Sequence, residues 1–191
     1  MLKSKKMSAA TTQQLPTVII DNGSGQIKAG VAGYEQPQAH FSHLIGKPKD
    51  TSVVVGTVNR EYYVGESAQS KRGILQLSYP MQHGTIENYD DWEKVIGYTY
   101  YNELKIAPEE QPLLLTDAPL TPKNQREKMV EILMEKFEIP AVHFGIQGAL
   151  ALMASGRLTG VCLDVGDGAT HCVPMYDGQC RFNMIPIIDN N

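Results

Sequence analysis

The chain has 191 residues and a formal net charge of −4 at pH 7, which gives no reason to expect nucleic acid or an anionic membrane surface as a partner. No apolar run approaches the ~18 residues of a membrane span. Residues 1–16 are polar and lack the apolar region of a secretory signal, so we expect a flexible N-terminal tail. Cys162, Cys172 and Cys180 form no metal-binding pattern, which favours reduced, structural cysteines in a cytosolic or nuclear protein.

The first half of the chain predicts mainly short strands. A β-branched run over 17–21 stops at Asn22–Gly25, the pattern of a buried strand entering a tight turn. Further strands are predicted over 28–33, 40–45 and 62–65, and a short helical turn over 67–73. Residues 50–60 form a polar, valine-rich loop that we expect to be exposed. A helix is predicted over 90–104, with a buried face formed by Trp92, Ile96, Thr99 or Tyr100, and Leu104.

The second half predicts strands and helices in alternation. Strands are expected over 112–116 and 141–146, and Thr121 is expected to cap a helix whose first residue is Pro122. A helix of small residues over 147–155 should pack closely and end at Gly156. A second hairpin is predicted over 160–164 and 169–176. Strands that alternate with helices indicate an α/β fold.

Two distant segments share one pattern. Residues 18–25 and 161–168 each read as an apolar strand, Asp, any residue, Gly, a polar residue and Gly. Glycines let consecutive backbone N–H groups point at one anion, and an aspartate at the strand end can hold a hydrated divalent cation. Two such turns facing each other would clamp a triphosphate and its metal. Each alone is equally well an ordinary β-turn, and the other common nucleotide motifs, GxxxxGK[ST] and GxGxxG, are missing.

Three further side chains could complete a hydrolytic site. Lys28 follows the first turn and could reach a terminal phosphate, although an ordinary exposed lysine explains it as well. Gln147 opens a helix after a buried strand, where it could orient a water or simply cap the helix. His171 follows the second turn and could polarise the same water, or be a satisfied core histidine.

The chain resembles the actin family from about residue 17 to about residue 189. The motifs that carry the resemblance are DNGSGxxKAGxAG at 21–33, YVGESAQSKRGIL at 63–75, YPxxHG at 79–84, YNELKIAPEE at 101–110, APxxP at 118–122 and GDGxTH at 166–171. The second and fourth motifs look closer to conventional actin or a close actin-related protein than to divergent relatives. Sugar kinases and Hsp70 chaperone ATPases share the two turns but not these motifs.

The resemblance implies an α/β, actin-like ATPase (ribonuclease-H-like) fold, present as the first lobe plus the first hairpin of the second lobe. The first lobe would span 17–159 and include a small subdomain at 43–79. Within that subdomain, the loop at 50–60 would contact the neighbouring subunit of a filament. Residues 160–191 would begin the second lobe. His83 falls where many actins carry a methylated histidine.

The resemblance also implies a site for ATP or ADP with Mg²⁺. The cofactor-binding residues would be Gly23, Ser24, Gly25, Lys28, Gly166, Asp167 and Gly168. Asp21 and Asp164 would hold the metal through waters, and Gln147 and His171 would position the attacking water. The implied partners are actin or actin-like subunits in a filament and actin-binding proteins, in the cytoplasm and cytoskeleton, with a nuclear location left open. No membrane and no direct nucleic-acid contact are expected.

Some positions depart from the family pattern. Asp117 replaces a glutamate, Ile96 a tryptophan, and Val165 a serine whose hydroxyl could contact the γ-phosphate. The family's adenine- and ribose-binding residues lie beyond Asn191, so we expect nucleotide and Mg²⁺ binding in this chain to be weak or absent. A non-catalytic actin-like scaffold and a truncated gene product without independent function stay open as alternatives.

Overall fold

A computed structural model describes residues 16–49, 60–181 and 187–189. The predicted N-terminal tail lies outside these residues except for Pro16. The predicted contact loop lies outside them except for Arg60. The expectations for both segments therefore stay predictions.

The described residues form short strands and a few helices. The strands are β1 Val18–Asn22, β2 Gln26–Val31, β3 Ala39–Ser42, β4 Ile45–Pro48, β5 Tyr63–Val64, β6 Leu75–Ser78, β7 Met81–Gln82, β8 Thr85–Ile86, β9 Leu113–Asp117, β10 Val142–Ile146, β11 Gly160–Val165, β12 Ala169–Tyr176, β13 Gln179–Cys180 and β14 Ile187–Asp189. The α-helices are α1 Glu66–Gln69, α2 Tyr89–Tyr98, α3 Lys123–Glu131 and α4 Gln147–Ala154. Two of them continue as π-helix, α2 over Thr99–Leu104 and α3 over Ile132–Lys136, and Pro108–Glu110 is a 3₁₀ turn.

The largest sheet has five strands in the order β10-β9-β1-β2-β3. β9 pairs in parallel with both β10 and β1, whereas β1, β2 and β3 form an antiparallel meander. The parallel strands need helical crossovers, which α2 and α3 supply. The sequence-based assignment to the α/β class is confirmed.

Smaller sheets surround this one. β4 lies between β5 and β6, β7 pairs with β8, and β12 pairs with β11, β13 and β14. The β11–β12 pair is the predicted second hairpin, in antiparallel register from Gly160 opposite Met175 to Val165 opposite Thr170. None of the cysteines is disulfide-bonded, and burial raises the pKa of the Cys162 and Cys180 thiols.

The single strand predicted over 40–45 is wrong. The chain instead leaves the main sheet after Ser42 and enters the small sheet at Ile45. At this break, the backbone N–H of His43 donates to the Gly25 carbonyl at 2.9 Å, and Leu44 N–H donates to Ser42 O at 2.9 Å. A contact with a distant part of the chain therefore divides a segment that is continuous in strand propensity.

The predicted helix face over 90–104 is buried as expected, except that Leu104 at its end is only partly buried. Trp92, Ile96, Thr99 and Tyr100 are fully buried in the core between α2 and the main sheet. Asn88 caps the start of the helix, and its side-chain oxygen accepts from Asp91 N–H at 3.0 Å. This cap satisfies one of the unpaired N–H groups of the first turn.

The start predicted for the next helix is wrong in two respects: the helix begins one residue later than Pro122, and Thr121 does not cap it. α3 begins at Lys123, with Pro122 extended at ψ 143°. The Thr121 hydroxyl donates to Asp117 Oδ1 at 2.6 Å and also lies 3.0 Å from Ala118 O. The buried Asp117 carboxylate therefore holds the hydroxyl that the sequence assigned to the helix.

Helix α4 joins the main sheet to the β11–β12 sheet. A Cβ added to Gly148 would lie 2.7 Å from Val173 Cγ2, so the close packing predicted for this small-residue helix is confirmed. Gly156, at φ 76°, follows the helix end in the left-handed conformation expected of a C-terminal cap. Among the described residues, no helix is both long enough and apolar enough to span a membrane.

Candidate functional site

The first glycine turn, Gly23–Gly25, connects β1 to β2 and rests on His43. The ring Nδ1 of His43 lies 2.7 Å from the Gly23 carbonyl oxygen, and its backbone N–H donates to Gly25 O at 2.9 Å. Burial lowers the pKa of His43, although the hydrogen bond to Gly23 partly opposes this effect. The amino-acid sequence does not reveal this role of His43, because no local pattern marks a residue 18 or more positions away as the support of a turn.

The second glycine turn, Gly166–Gly168, connects β11 to β12. Gly166 N–H donates to Ala169 O at 3.0 Å and closes the turn. Asp164 precedes the turn and lies opposite His171 in the strand register. This geometry brings the predicted metal and catalytic residues of the second segment to one end of the hairpin.

The two glycine turns touch. A Cβ added to Gly168 would lie 2.5 Å from Ser24 Oγ, and one added to Gly25 would lie 2.7 Å from Asp167 Oδ2. These separations are far below an ordinary contact between carbon and oxygen, so only glycine fits at either position without displacement. The prediction that the two matching segments form adjacent hairpins is confirmed, while the convergence of their N–H groups on one space stays a prediction.

A third turn, His83–Gly84 between β7 and β8, bridges the other two. Gly84 N–H donates to Ser24 Oγ at 3.1 Å, and His83 Nδ1 lies 3.1 Å from the Gly168 carbonyl oxygen. Both residues have positive φ, 51° for His83 and 73° for Gly84. This contact of His83 is not predictable from the sequence, since a His–Gly pair predicts a turn but not what that turn touches.

Asp21 is held by a network of polar side chains. Its Oδ1 accepts from Thr116 Oγ1 at 2.7 Å, and Thr116 Oγ1 in turn accepts from Asn22 N–H at 2.9 Å. Gln147 Nε2 lies 3.2 Å from both Asp21 Oδ1 and Thr116 Oγ1. The other carboxylate oxygen, Oδ2, is 3.7 Å from Lys28 Nζ. Asp21 therefore has its Oδ1 held by hydrogen bonds, while its Oδ2 lies near the ammonium group of Lys28.

A buried tryptophan supports the same strand end. Trp92 Nε1 donates to Asn22 Oδ1 at 3.0 Å, and both side chains are buried. This bond fixes the residue between Asp21 and the first glycine turn. The helix face predicted from the sequence thus carries one polar contact that positions the site.

The two predicted catalytic side chains line the same cleft from different elements. Gln147 is the first residue of α4, and its amide nitrogen faces Asp21. His171 lies on β12 and is almost completely buried. Its Nε2 would be 4.0 Å from a Cβ added to Gly84, so the imidazole lies close to the third turn. The structure brings both residues to one cavity, while their catalytic roles stay predictions.

Every residue that the sequence predicts for the site lines one cleft of about 950 Å³. These residues are Asp21, Gly23, Ser24, Gly25, Lys28, Gln147, Asp164, Gly166, Asp167, Gly168 and His171. The cleft lies beyond the carboxyl ends of β1 and β9, where open α/β sheets commonly bind ligands. Val165 also lines it, with 70% of its surface exposed.

The donor set fits a hydrated magnesium ion together with phosphate. Asp21 and Asp164 both line the cleft, and the four glycines of the two turns present backbone without side chains. Within the part of the chain that the structure describes, no group of three or more His, Cys, Asp or Glu residues is arranged to hold a metal ion. Mg²⁺ commonly keeps several waters and takes one or two carboxylates plus substrate phosphates, which agrees with two aspartates rather than a closed protein cage.

Comparison with known proteins identifies the family. The family model described as Actin matches residues 12–185, which is most of the chain and includes both glycine turns and the strands that carry Asp21 and Asp164. The α/β architecture with a mixed five-stranded sheet agrees with the fold of that family. The chain therefore belongs to the actin family.

Proposed function

We propose that this chain is an actin-like cytoskeletal protein that binds ATP or ADP with Mg²⁺ in the cleft between its two glycine turns. The observation that carries the proposal is the direct contact between the turns, with Ser24 against Gly168 and Asp167 against Gly25. Two anion-binding turns that meet can share one chain of phosphates, which a single turn of this kind cannot enclose.

Each residue of the cleft would contact the phosphates, the metal or the attacking water according to its chemistry. The backbone N–H groups of both turns and the Ser24 hydroxyl would donate to phosphate oxygens, and Lys28 would add a positive charge. Asp21 and Asp164 would accept from the waters of Mg²⁺, which when bound neutralises part of the phosphate charge. Gln147 and His171 would orient a water for slow ATP hydrolysis. Support for the role of Gln147 comes from its amide, which Asp21 and Thr116 already hold in place.

The proposal extends to architecture and partners. Residues 17–159 would form the first lobe, with a small subdomain at 43–79, and residues from 160 onward would begin the second lobe. Actin or actin-like subunits in a filament and actin-binding proteins would be the partners, in the cytoplasm and cytoskeleton. Membership of the actin family supports these assignments.

Isothermal titration with Mg-ATP and Mg-ADP tests the nucleotide site. We expect weak but saturable binding by the unchanged chain and at least tenfold weaker binding by Asp164→Asn, because the substitution removes a charge that would face the hydrated metal. Asp177→Asn is the matched control: Asp177 lies at the other end of the same hairpin, at φ 50°, a conformation that asparagine tolerates. A folded chain that binds neither nucleotide would refute the proposal.

A second candidate is a non-catalytic scaffold that binds actin or an actin-containing complex without using nucleotide. Strand β11 favours it, because Val161, Leu163 and Val165 are 63%, 63% and 70% exposed on one face of an edge strand. Exposed apolar patches of this kind often mark protein interfaces. Co-sedimentation with actin that is unchanged after nucleotide removal would favour the scaffold, and assembly that requires Mg-ATP would favour the first candidate.

A further inference from the structure

We propose that His43 is a positioning residue that holds the first glycine turn in the shape that binds phosphate, an inference that rests on the proposed nucleotide site. His43 is fully buried at the break between β3 and β4. It contacts the turn twice, through Nδ1 to the Gly23 carbonyl at 2.7 Å and through its backbone N–H to the Gly25 carbonyl at 2.9 Å. One residue thus ties down both ends of the turn.

The contact assigns the tautomer of the imidazole. A carbonyl oxygen can only accept, so Nδ1 of His43 must carry the proton that it donates to Gly23. Nε2 is buried and has no hydrogen-bond partner among the described residues. A second proton on Nε2 would place an uncompensated charge in the interior, and burial accordingly lowers the pKa of His43. His43 therefore acts as a neutral donor.

The two bonds determine where the turn presents its N–H groups. In a planar trans peptide, the carbonyl and the following N–H point in opposite directions. Fixing the Gly23 carbonyl on His43 therefore turns Ser24 N–H away from His43. Ser24 lines the cleft whereas His43 lies behind the turn, so this N–H faces the space where phosphate would bind.

The turn needs such a support because of its composition. Gly23 and Gly25 have access to backbone conformations that other residues avoid, so a turn built on them samples many conformations unless other contacts restrain it. Affinity falls when the groups that contact a ligand must be ordered on binding. His43 restrains both glycines before any ligand arrives, and it does so without touching the ligand.

Two substitutions test the hydrogen-bond donor of His43 and the volume of its side chain separately. His43→Asn keeps an N–H donor near the place of Nδ1 but leaves a void, whereas His43→Leu fills the space and removes the donor. We expect the Leu variant to bind Mg-ATP about tenfold more weakly, the effect of losing one hydrogen bond at the upper end of its usual range. The Asn variant should bind within about threefold of the unchanged chain. Equal weakening in both variants, or none in the Leu variant, would overturn the proposal.

A measurement without nucleotide tests the role of His43 independently of whether the chain binds nucleotide. The ¹⁵N NMR signals of the His43 ring should show a protonated Nδ1 and a bare Nε2, and the Ser24 amide signal should move in the Leu variant but not in the Asn variant. If the unchanged chain binds no nucleotide, the nucleotide proposal fails while these signals still decide whether His43 holds the turn. A protonated Nε2 with a bare Nδ1 would refute the assignment whatever the titrations show.

Discussion

Val165 places an apolar side chain in a cleft that is otherwise lined largely by polar groups. It follows Asp164 directly, lines the cleft and is 70% exposed. A valine cannot donate to a phosphate oxygen, and the actin-family resemblance places a serine hydroxyl here. The Ser24 hydroxyl on the opposite turn already accepts from Gly84 N–H, so it has a single O–H to donate to a phosphate oxygen.

Replacing this valine by serine should favour the longer nucleotide. We expect Val165→Ser to increase the affinity for Mg-ATP relative to Mg-ADP by about fivefold, the effect of one additional hydrogen bond. Val165→Ala is the matched control, because it removes the same methyl groups without adding a hydroxyl. Titration of each variant with both nucleotides gives the ratio, and an equal change in the Ser and Ala variants would show that the hydroxyl does not face the terminal phosphate.

The buried imidazole of His43 should make folding depend on pH. Its pKa lies below the ordinary value of 6.5 because burial disfavours the charged form. As the pH falls below 6.5, the unfolded chain takes up a proton on this ring before the folded chain does, so the free energy of unfolding decreases. Above 6.5 the ring is neutral in both states and contributes no slope.

This dependence is measurable by urea unfolding followed through the fluorescence of Trp92, the single tryptophan. Between pH 7.5 and pH 5.5, the free energy of unfolding should depend less steeply on pH in His43→Asn than in the unchanged chain, by at most about 1.4 kcal/mol per pH unit. His143→Asn, at an exposed position on β10, controls for the loss of any histidine and should keep the contribution of His43. A slope that is the same in the unchanged chain and in His43→Asn would contradict the prediction.

At the scale of the elements, the second glycine turn leaves no room for a side chain at Gly168. A Cβ on Gly168 would approach Ser24 Oγ to 2.5 Å and His83 N to 3.0 Å, so both neighbouring turns would have to move. We expect Gly168→Ala to lower the free energy of unfolding by about 1–3 kcal/mol, the usual cost of overpacking, and to abolish measurable Mg-ATP binding.

Gly73→Ala provides the comparison, because a Cβ there meets nothing within 4 Å. That variant should unfold and bind as the unchanged chain does. Thermal unfolding and titration of both variants check the pair. Normal binding by a folded Gly168→Ala variant would mean that the contact between the turns is dispensable.

The elements also show where sequence reasoning succeeds and where it does not. The strand-to-glycine pattern is local, so both turns could be predicted, and their matching form indicated that they meet. The break at His43 could not be predicted, because residues 40–45 favour a strand throughout and His43 N–H donates its hydrogen bond to the carbonyl of the distant Gly25. Thr121 is similar: its residue type suits a helix cap, but a buried aspartate from the preceding strand competes for the hydroxyl.

At the scale of the whole molecule, one ion pair joins the small sheet to the main body. Lys47 on β4 places its Nζ 2.6 Å from Asp91 Oδ1 on α2, and the Asp91 side chain is only 2% exposed. Ser78 on β6 adds a hydrogen bond to Asp91 Oδ2 at 3.3 Å. Two strands of the small sheet therefore hold the same buried carboxylate.

Removing the lysine should loosen the small sheet. Lys47→Met leaves the buried Asp91 carboxylate without its nearest cation, so the free energy of unfolding should fall by about 1–2 kcal/mol, less than for a fully buried pair because Lys47 is partly exposed. Hydrogen exchange should accelerate at the β4 and β6 amides more than in β1 and β9. Lys49→Met, at an exposed position just beyond β4, is the control, and equal exchange in both variants would argue against the role of the ion pair.

We expect the contact between the glycine turns to act as a pivot. Because Ser24 and Gly168 leave no room even for a methyl group, sliding of one hairpin across the other would force atoms into overlap, whereas rotation about this contact would not. Rotation moves atoms in proportion to their distance from the axis, so the rim of the cleft widens while its floor barely changes. We expect the molecule to open for a bulky group at the rim and still keep constant distances around a small anion on the floor.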